Sequence, residues 1–338
     1  MNPIAGSIPP EEKICVVIPV YRVENQIQQV IRQVPGWVWK IIAVDDASPD
    51  QSAQRAQAVG DERLILLRHE CNQGVGGAVL TGFSQAAQLG ATVLVKVDGD
   101  DQAPLEFLPD LLAPILAGRA DYTKGNRFFH SHQILKMPAI RRFGNLGLSF
   151  LTKAASGYWN VFDPTNGFLA IDAEVFRGLD LDQIHKRYFF ESSLLVELNL
   201  LRASVVEVPM PARYQGESSS LRISKVLIEF PYLLLRSLLR RLWLQYFVLD
   251  FSVGSLFMVI GLLSLLFGVA WGGLAWWRSS ITHIPATTGT VMIAVMPVIL
   301  GFQLLLQSVV FDVQNLPRRP RTRLATLRRT RTGEKWDS

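Results

Sequence analysis

The hydrophobic positions in the first part of the chain fall into short runs that alternate with stretches of helical periodicity. Ile14 to Val20 reads as a buried strand, Glu24 to Val34 as a helix, Lys40 to Val44 as a second strand and Pro49 to Val59 as a second helix. A strand from Arg63 to Leu67, a helix from Gly76 to Leu89 and a strand from Thr92 to Val97 continue the alternation. Brief apolar runs spaced by helices predict an α/β domain, its sheet mostly parallel and covered on both faces. Such a sheet gathers its ligands at the carboxyl ends of its strands.

The pattern changes towards the C-terminus. No residue from Phe251 to Trp277, or from Pro285 to Phe311, carries a charge. Each run exceeds the roughly 20 residues that cross a hydrocarbon core, so both predict transmembrane helices. Trp271, Trp276 and Trp277 close the first run as interface anchors do, and Pro297 predicts a kink in the second. Ahead of them, residues 221–247 mix Arg and Lys with an apolar stripe of Leu234, Leu235, Leu238, Leu239 and Leu242. That composition favours helices lying in the membrane interface, with Pro231 dividing them in two. An amphipathic helix packed on the soluble domain is the plainer alternative. The expected organisation is a soluble domain over 1–220, juxtamembrane helices over 221–247, a two-helix hairpin over 248–312 and a basic tail over 313–338.

Composition narrows the class. With 338 residues, 49% hydrophobic and 19% charged, the chain is neither disordered, nor a small disulfide scaffold, nor a bare membrane bundle. Its net charge of +5 is misleading, because the last 21 residues carry +6 and the remainder −1. A basic tail on a neutral protein does not indicate a nucleic-acid partner. Cys15 and Cys71 lack metal-ligand spacing and read as reduced structural thiols of a cytosolic domain. The start Met1-Asn2-Pro3-Ile4 shows no secretory pattern, and the Arg-rich tail follows an even number of spans. Both ends are therefore expected on the cytoplasmic side of the inner cell membrane, in a multi-pass topology.

Three polar clusters follow predicted strands: Tyr21 to Glu24, Asp45 to Ser48, and Asp98 to Gln102. Carboxylates converging on one crevice without balancing cations call for a cation from outside, and hard oxygen ligands suit Mg²⁺ or Mn²⁺ bridging phosphates. An Asp-x-Asp alone can simply cap a helix; its place directly after the apolar TVLVKV gives Asp98 and Asp100 their weight. Gly74, Gly76 and Gly77 precede a helix but follow the third strand and lack the dinucleotide fingerprint, so close helix packing is their reading.

IPVY at Ile18 to Tyr21, VDDASPD at Val44 to Asp50, NQGVGGAVLTG at Asn72 to Gly82 and VDGDDQ at Val97 to Gln102 resemble, in order and spacing, the family 2 glycosyltransferases. Among these the likeness is to the polyprenyl-phosphate and dolichol-phosphate sugar synthases, over nearly the whole chain. The resemblance implies a Rossmann-like GT-A catalytic domain followed by interfacial amphipathic helices and two transmembrane helices. It implies a nucleotide site at Pro19, Tyr21, Glu24, Asp46 and Asp98, and a metal-diphosphate loop at Asp98, Asp100 and Gln102. Where the family usually has Tyr-Asn-Glu-Glu, this chain has Tyr21-Arg22-Val23-Glu24. The resemblance also implies that Arg127, Arg141 and Arg213 look toward the acceptor phosphate and the diphosphate, where guanidinium groups offer planar, permanent donors.

Asp163, in FDPTNGF, resembles the family's acidic motif near the acceptor. It and Glu191 are candidate bases, with a turn carboxylate and a helix-start carboxylate as the structural alternatives. A phosphate monoester, with its second pKa near 6, scarcely needs a base. The function implied is metal-dependent, inverting transfer of one sugar to polyprenyl (undecaprenyl) phosphate at the cytoplasmic membrane face. Glucose from UDP-glucose is favoured. A GDP-mannose-using synthase and a non-catalytic membrane scaffold are the alternatives. A processive polysaccharide synthase fits less well, since Arg240-Arg241-Leu242-Trp243 is not the Gln-x-x-Arg-Trp of such enzymes. The implied partners are the nucleotide sugar, the lipid phosphate and the membrane, with homo-oligomerisation left open.

Overall fold

The computed structural model describes residues 12–127, 139–211 and 223–321, and of 139–146 and 223–228 the backbone alone. The chain divides into two compact units, residues 1–238 with 317–338, and residues 239–316.

The first unit is built on a seven-stranded sheet. Its strands are β1 (Ile14–Val20), β2 (Lys40–Asp45), β3 (Leu64–Arg68), β4 (Val93–Lys96), β5 (Tyr122–Asn126), β6 (Leu169–Asp172) and β7 (Val205–Pro209), in the order β3-β2-β1-β4-β6-β5-β7. Every pairing is parallel except those of β6, which runs antiparallel to both β4 and β5. The helices are α1 (Ile27–Gln33), α2 (Ser52–Gln57), α3 (Val75–Gln88), α4 (Leu108–Leu116), α5 (Ala139–Ser156), α6 (Ala173–Arg177), α7 (Phe190–Leu200) and α8 (Ile223–Trp243). One face of the sheet and helices α1 and α4 share a core that includes Val16, Ile18, Ile31, Ile41, Val95, Leu108 and Leu111. β1 and β2 are buried along almost their whole length, as expected of central strands whose faces are both covered.

The inverted β6 has a consequence for function. Residues after the carboxyl ends of β1, β2, β4, β5 and β7 project from one edge, and an antiparallel strand brings its own preceding turn to that same edge. The turn before β6, residues 163–168, therefore joins the loops that begin at Tyr21, Asp46, Val97, Arg127 and Met210.

Pro231 does not divide its segment. Helix α8 runs unbroken from Ile223 to Trp243, with Leu234 buried against Ala155 of α5 and Phe189. A proline removes one backbone hydrogen bond and bends a helix, and burial of flanking leucines offsets that local cost. A single π-helical stretch, Leu244–Leu249, follows.

The second unit holds α9 (Val253–Thr282) and α10 (Thr288–Gln314), two helices long and apolar enough to cross a membrane. Only 22% of the most apolar stretch of α9 and 6% of that of α10 is buried, so these are not the core helices of a soluble domain. They meet through small residues. A side chain on Gly268 would come within 2.6 Å of the Ala294 carbonyl oxygen, and one on Gly301 within 2.6 Å of the Leu265 nitrogen. Pro297 lies inside α10 without interrupting it. At the end of the hairpin, Arg241, wholly buried, pairs with both carboxylate oxygens of Asp312 at 2.8 and 2.9 Å, and Tyr246 donates to Asp312 at 2.7 Å.

Candidate active site

Two loops at the strand edge are clasped together by side chains. The backbone N–H groups of Arg22 and Val23 donate to Ser48 Oγ and Ser52 Oγ at 2.8 and 2.9 Å, and Glu24 Oε2 accepts from the Gln51 N–H at 3.1 Å. Asp50 ties the clasp by accepting from both Ser hydroxyls at 2.6 Å. Burial of the Asp50 carboxylate works against ionisation, but the hydrogen bonds from Ser48 and Ser52 outweigh it, and its pKa lies below the ordinary value. Tyr21 stands exposed beside this clasp, with the Arg22 guanidinium over its ring. Pro19 lies against the acidic loop, since a side chain on Gly99 would come within 3.1 Å of the Pro19 carbonyl oxygen.

Asp46 is buried, and its carboxylate accepts from the N–H groups of Gln73 and Gly74, both at 2.8 Å, and meets His69 Nδ1 at 2.7 Å. His69 Nε2 in turn meets Thr81 Oγ1 of α3 at 2.9 Å. In this geometry Asp46 braces the glycine-rich loop at the start of α3. Gly74 has a φ of +94°, and a side chain there would strike the Lys186 carbonyl oxygen. Close approach of backbones accounts for this glycine, as the packing reading expected.

Asp98, Asp100, Gln102, Arg127, Asn166 and Gly167 line one cleft with Ala103, Pro104, Phe168, Met210 and Pro211. Asp100 Oδ1 accepts from the Gln102 N–H at 3.1 Å, and Asp101 is tied to Gln29 of α1 at 2.9 Å. At this strand edge Arg22, Ala47 and Asp101 hold left-handed backbone, with φ of 57°, 53° and 61°. One stands in each loop after β1, β2 and β4, which concentrates backbone strain at this edge.

Arg127 brings a basic group to the same cleft. Arg127 makes a two-point pair with Asp163, Nε to Oδ2 at 2.8 Å and Nη2 to Oδ1 at 3.0 Å. Glu207 on β7 receives the N–H groups of Phe162 and Asp163 at 2.8 Å and the side-chain amide of Asn126 at 2.7 Å, which fixes that turn. Arg213 lies outside the described residues, and Arg141 is described only as a backbone position in α5.

Two buried lysines lie in the sheet below the cleft, and the apolar reading of TVLVKV passes over the first. Lys96 ends β4, is 1% exposed, and holds Asp98 Oδ1 at 2.7 Å and Glu191 Oε1 at 3.3 Å. Burial alone would lower its pKa, but the charges of Asp98 and Glu191 overcome this and leave it raised. Glu191, a candidate base by sequence, is thereby engaged as a counter-ion. Across the sheet, register places Lys96, Leu169, Lys124 and Glu207 in one row. Lys124 is fully buried, its Nζ has no hydrogen-bond partner among the described residues, and burial brings its pKa down to about 8 despite Asp163, Glu191 and Glu207 nearby. The signal in sequence was a lysine within an otherwise apolar run two residues before Asp98; such a residue seldom enters a core strand without a partner.

Among the described residues no group of three or more His, Cys, Asp or Glu is arranged to hold a metal ion unaided. Two carboxylates and an amide lining one cleft nonetheless fit Mg²⁺ or Mn²⁺, which commonly take one or two protein carboxylates and complete their shell from substrate phosphates and water.

Comparison with known proteins identifies the family and the fold. Residues 15–179 match the family described as Glycosyl transferase family 2. A UDP-N-acetylglucosamine--dolichyl-phosphate N-acetylglucosaminyltransferase of Methanococcus voltae is 30% identical over 235 residues, covering 65% of this chain and 93% of that protein. An undecaprenyl-phosphate mannosyltransferase of Micrococcus luteus is 30% identical over 213 residues, covering 61% of this chain and 86% of that protein. Glucosyl-3-phosphoglycerate synthase from Mycobacterium tuberculosis, solved with Mn²⁺, UDP-glucose and phosphoglyceric acid, shares the fold. Its TM-score is 0.51 at 22% identity, covering 68% of this chain and 80% of that one. With a GT-A fold and these relatives, the chain belongs to glycosyl transferase family 2 and is a glycosyltransferase.

Proposed function

We propose that the protein transfers one sugar from a nucleotide diphosphate sugar to a polyprenyl phosphate at the cytoplasmic face of the membrane. The observation that carries this reading is the cleft itself, lined by Asp98, Asp100 and Gln102 together with the Asp163-anchored Arg127. The acidic loop suits a diphosphate accompanied by a divalent cation, and the guanidinium suits a second anion in the same cleft. Relatives that use dolichyl phosphate or undecaprenyl phosphate support the lipid acceptor, and the two long apolar helices support its membrane setting.

In this account Pro19, Tyr21 and Glu24 form the nucleoside end of the donor site, while Asp46 braces the loop beneath it. Asp98, Asp100 and Gln102 would hold Mg²⁺ or Mn²⁺ against the diphosphate, and the cation supplies charge neutralisation as that group departs. Arg127 orients the acceptor phosphate, a role that the family resemblance extends to Arg141 and Arg213. The phosphate oxyanion attacks the anomeric carbon in line, the glycosidic bond to the diphosphate breaks, and configuration inverts. Asp163 contributes by aiming Arg127, since its own carboxylate is wholly buried. No protein base is required, because a phosphate monoester is mostly dianionic at neutral pH. On the same side of the membrane, the Arg321 N–H donates to both oxygens of Asp121 at 2.9 Å, which supports a tail and a catalytic domain that share one compartment.

The sugar is the finer question. UDP-glucose is the donor favoured by sequence, whereas the relatives' names carry N-acetylglucosamine and mannose. Membranes bearing the protein, given undecaprenyl phosphate and a panel of radiolabelled UDP-glucose, UDP-N-acetylglucosamine and GDP-mannose, should yield organic-soluble label from one donor. Label from UDP-glucose confirms the favoured donor, label from another donor replaces it, and label from none removes the reading.

A further inference from the structure

We infer that Lys96 is a positioning residue of the donor site: its buried ammonium holds Asp98 in the orientation that receives a nucleoside diphosphate and its cation. The inference rests on the reading of the cleft as a donor site. It begins from a residue that packing does not explain. Lys96 is the last residue of a central strand whose other members, Val93, Leu94 and Val95, are apolar and buried. An ammonium placed there loses its hydration, and a methionine would fill a similar volume without that cost.

The contacts show what the charge accomplishes. Nζ meets Asp98 Oδ1 at 2.7 Å and, on its other side, Glu191 Oε1 at 3.3 Å. Gly167, in the turn before β6, closes the opposite flank. A side chain there would overlap both Asp98 Oδ2 and Lys96 Nζ. One oxygen of Asp98 is thus held by the ammonium while the other lies against a backbone that admits no Cβ. The side chain remains 35% exposed to the cleft, so it is fixed without being sequestered. Asp100 and Asp101 follow within three residues, and a nearby fixed cation offsets the mutual repulsion of this acidic loop before any donor arrives. Lys96 lines no part of the cleft and acts only through Asp98.

The test uses the full-length protein in detergent micelles and the probes UDP and GDP, each titrated calorimetrically in the presence of Mn²⁺. Lys96→Met should weaken nucleotide binding by about 10- to 100-fold, the usual cost of losing a partner behind a metal-site ligand. Its thermal midpoint should fall, because Glu191, 12% exposed, is left without its counter-ion. Turnover should show a raised KM for donor with the KM for acceptor unchanged. Gly167→Ala, which displaces Asp98 from the other flank, should weaken binding in the same way and gives an independent reading if Lys96→Met folds poorly. Equal nucleotide affinity in wild type, Lys96→Met and Gly167→Ala would overturn the inference. Failure of the wild type to bind either nucleotide would instead overturn the donor-site reading on which it rests.

Discussion

Asp163 and Arg127 are a pair of unequal exposure: the carboxylate is wholly buried, while the guanidinium that grips it at two points keeps 31% of its side-chain surface open to the cleft. The charge presented to a ligand is therefore positive, and the acid behind it sets its direction. Asp163→Asn keeps the shape but cannot accept at both oxygens. It should lower stability by about 1–3 kcal/mol, the cost of a damaged charged hydrogen-bond pair that is only partly desolvated. It should also raise the KM for polyprenyl phosphate more than that for the donor. Denaturant unfolding and two-substrate kinetics check the two halves separately.

Lys124 makes a prediction about pH. Its pKa in the fold is about 8 against an ordinary 10.5, from burial first, opposed by Asp163, Glu191 and Glu207 and reinforced by Arg127. Below pH 8 both folded and unfolded states carry the proton, and the burial cost is fully present. Between pH 8 and 10.5 the unfolded state binds more protons, so this group's contribution to stability rises with pH. Lys124→Met removes the effect and should be more stable than wild type by about 3 kcal/mol at pH 7, from a shift of that size at 1.36 kcal/mol per pH unit. The difference should shrink across that window. A difference that stays constant from pH 7 to 10.5 would mean that Lys124 does not titrate as described.

The sheet was legible where the chain punctuates itself, and obscure where partners are distant. The bounds expected for β1 coincide with those observed, Ile14–Val20, because an apolar run ends abruptly at Tyr21 and a left-handed Arg22. The next helix, expected from Glu24, begins only at Ile27. Val23 and Glu24 donate their N–H groups to Ser52 and Asp50, more than 25 residues away, and no local pattern announces such a link. For the same reason the inversion of β6, and the row that sets Lys96 beside Leu169 and Lys124, became visible only through strand pairing. Asp98 and Asp100 stood out by their position after an apolar run, and Gln102 by the family resemblance; the lysine inside that run could not be assigned a role until Asp98 and Glu191 were seen around it.

Gly82 tests the packing that seats the glycine-rich loop. A side chain there would overlap Val17 of β1 and come within 3.2 Å of Val44 of β2. Helix α3 would have to lift from the sheet, so Gly82→Ala should destabilise the first unit by about 1–3 kcal/mol, as overpacking commonly does. Chemical denaturation followed by near-ultraviolet dichroism measures this.

The hairpin's polar clamp makes a paired prediction. Asp312→Asn leaves the fully buried Arg241 with a neutral partner, which should cost about 3–5 kcal/mol, the range for breaking a buried ion pair. Replacing both, as Arg241→Met with Asp312→Leu, should recover most of that loss, because no charge remains to be stranded. Thermal unfolding in detergent gives the comparison.

The central claim, a single sugar transferred to a lipid phosphate, is tested most directly by mass measurement of the product. The full-length protein in micelles is incubated with undecaprenyl phosphate, Mn²⁺ and the donor that labels lipid. The expected product is the lipid phosphate plus one sugar, with one nucleoside diphosphate released per product and none formed by Asp100→Asn or in the presence of EDTA. A ladder of products bearing several sugars, or nucleotide release without any glycosylated lipid, would contradict the account.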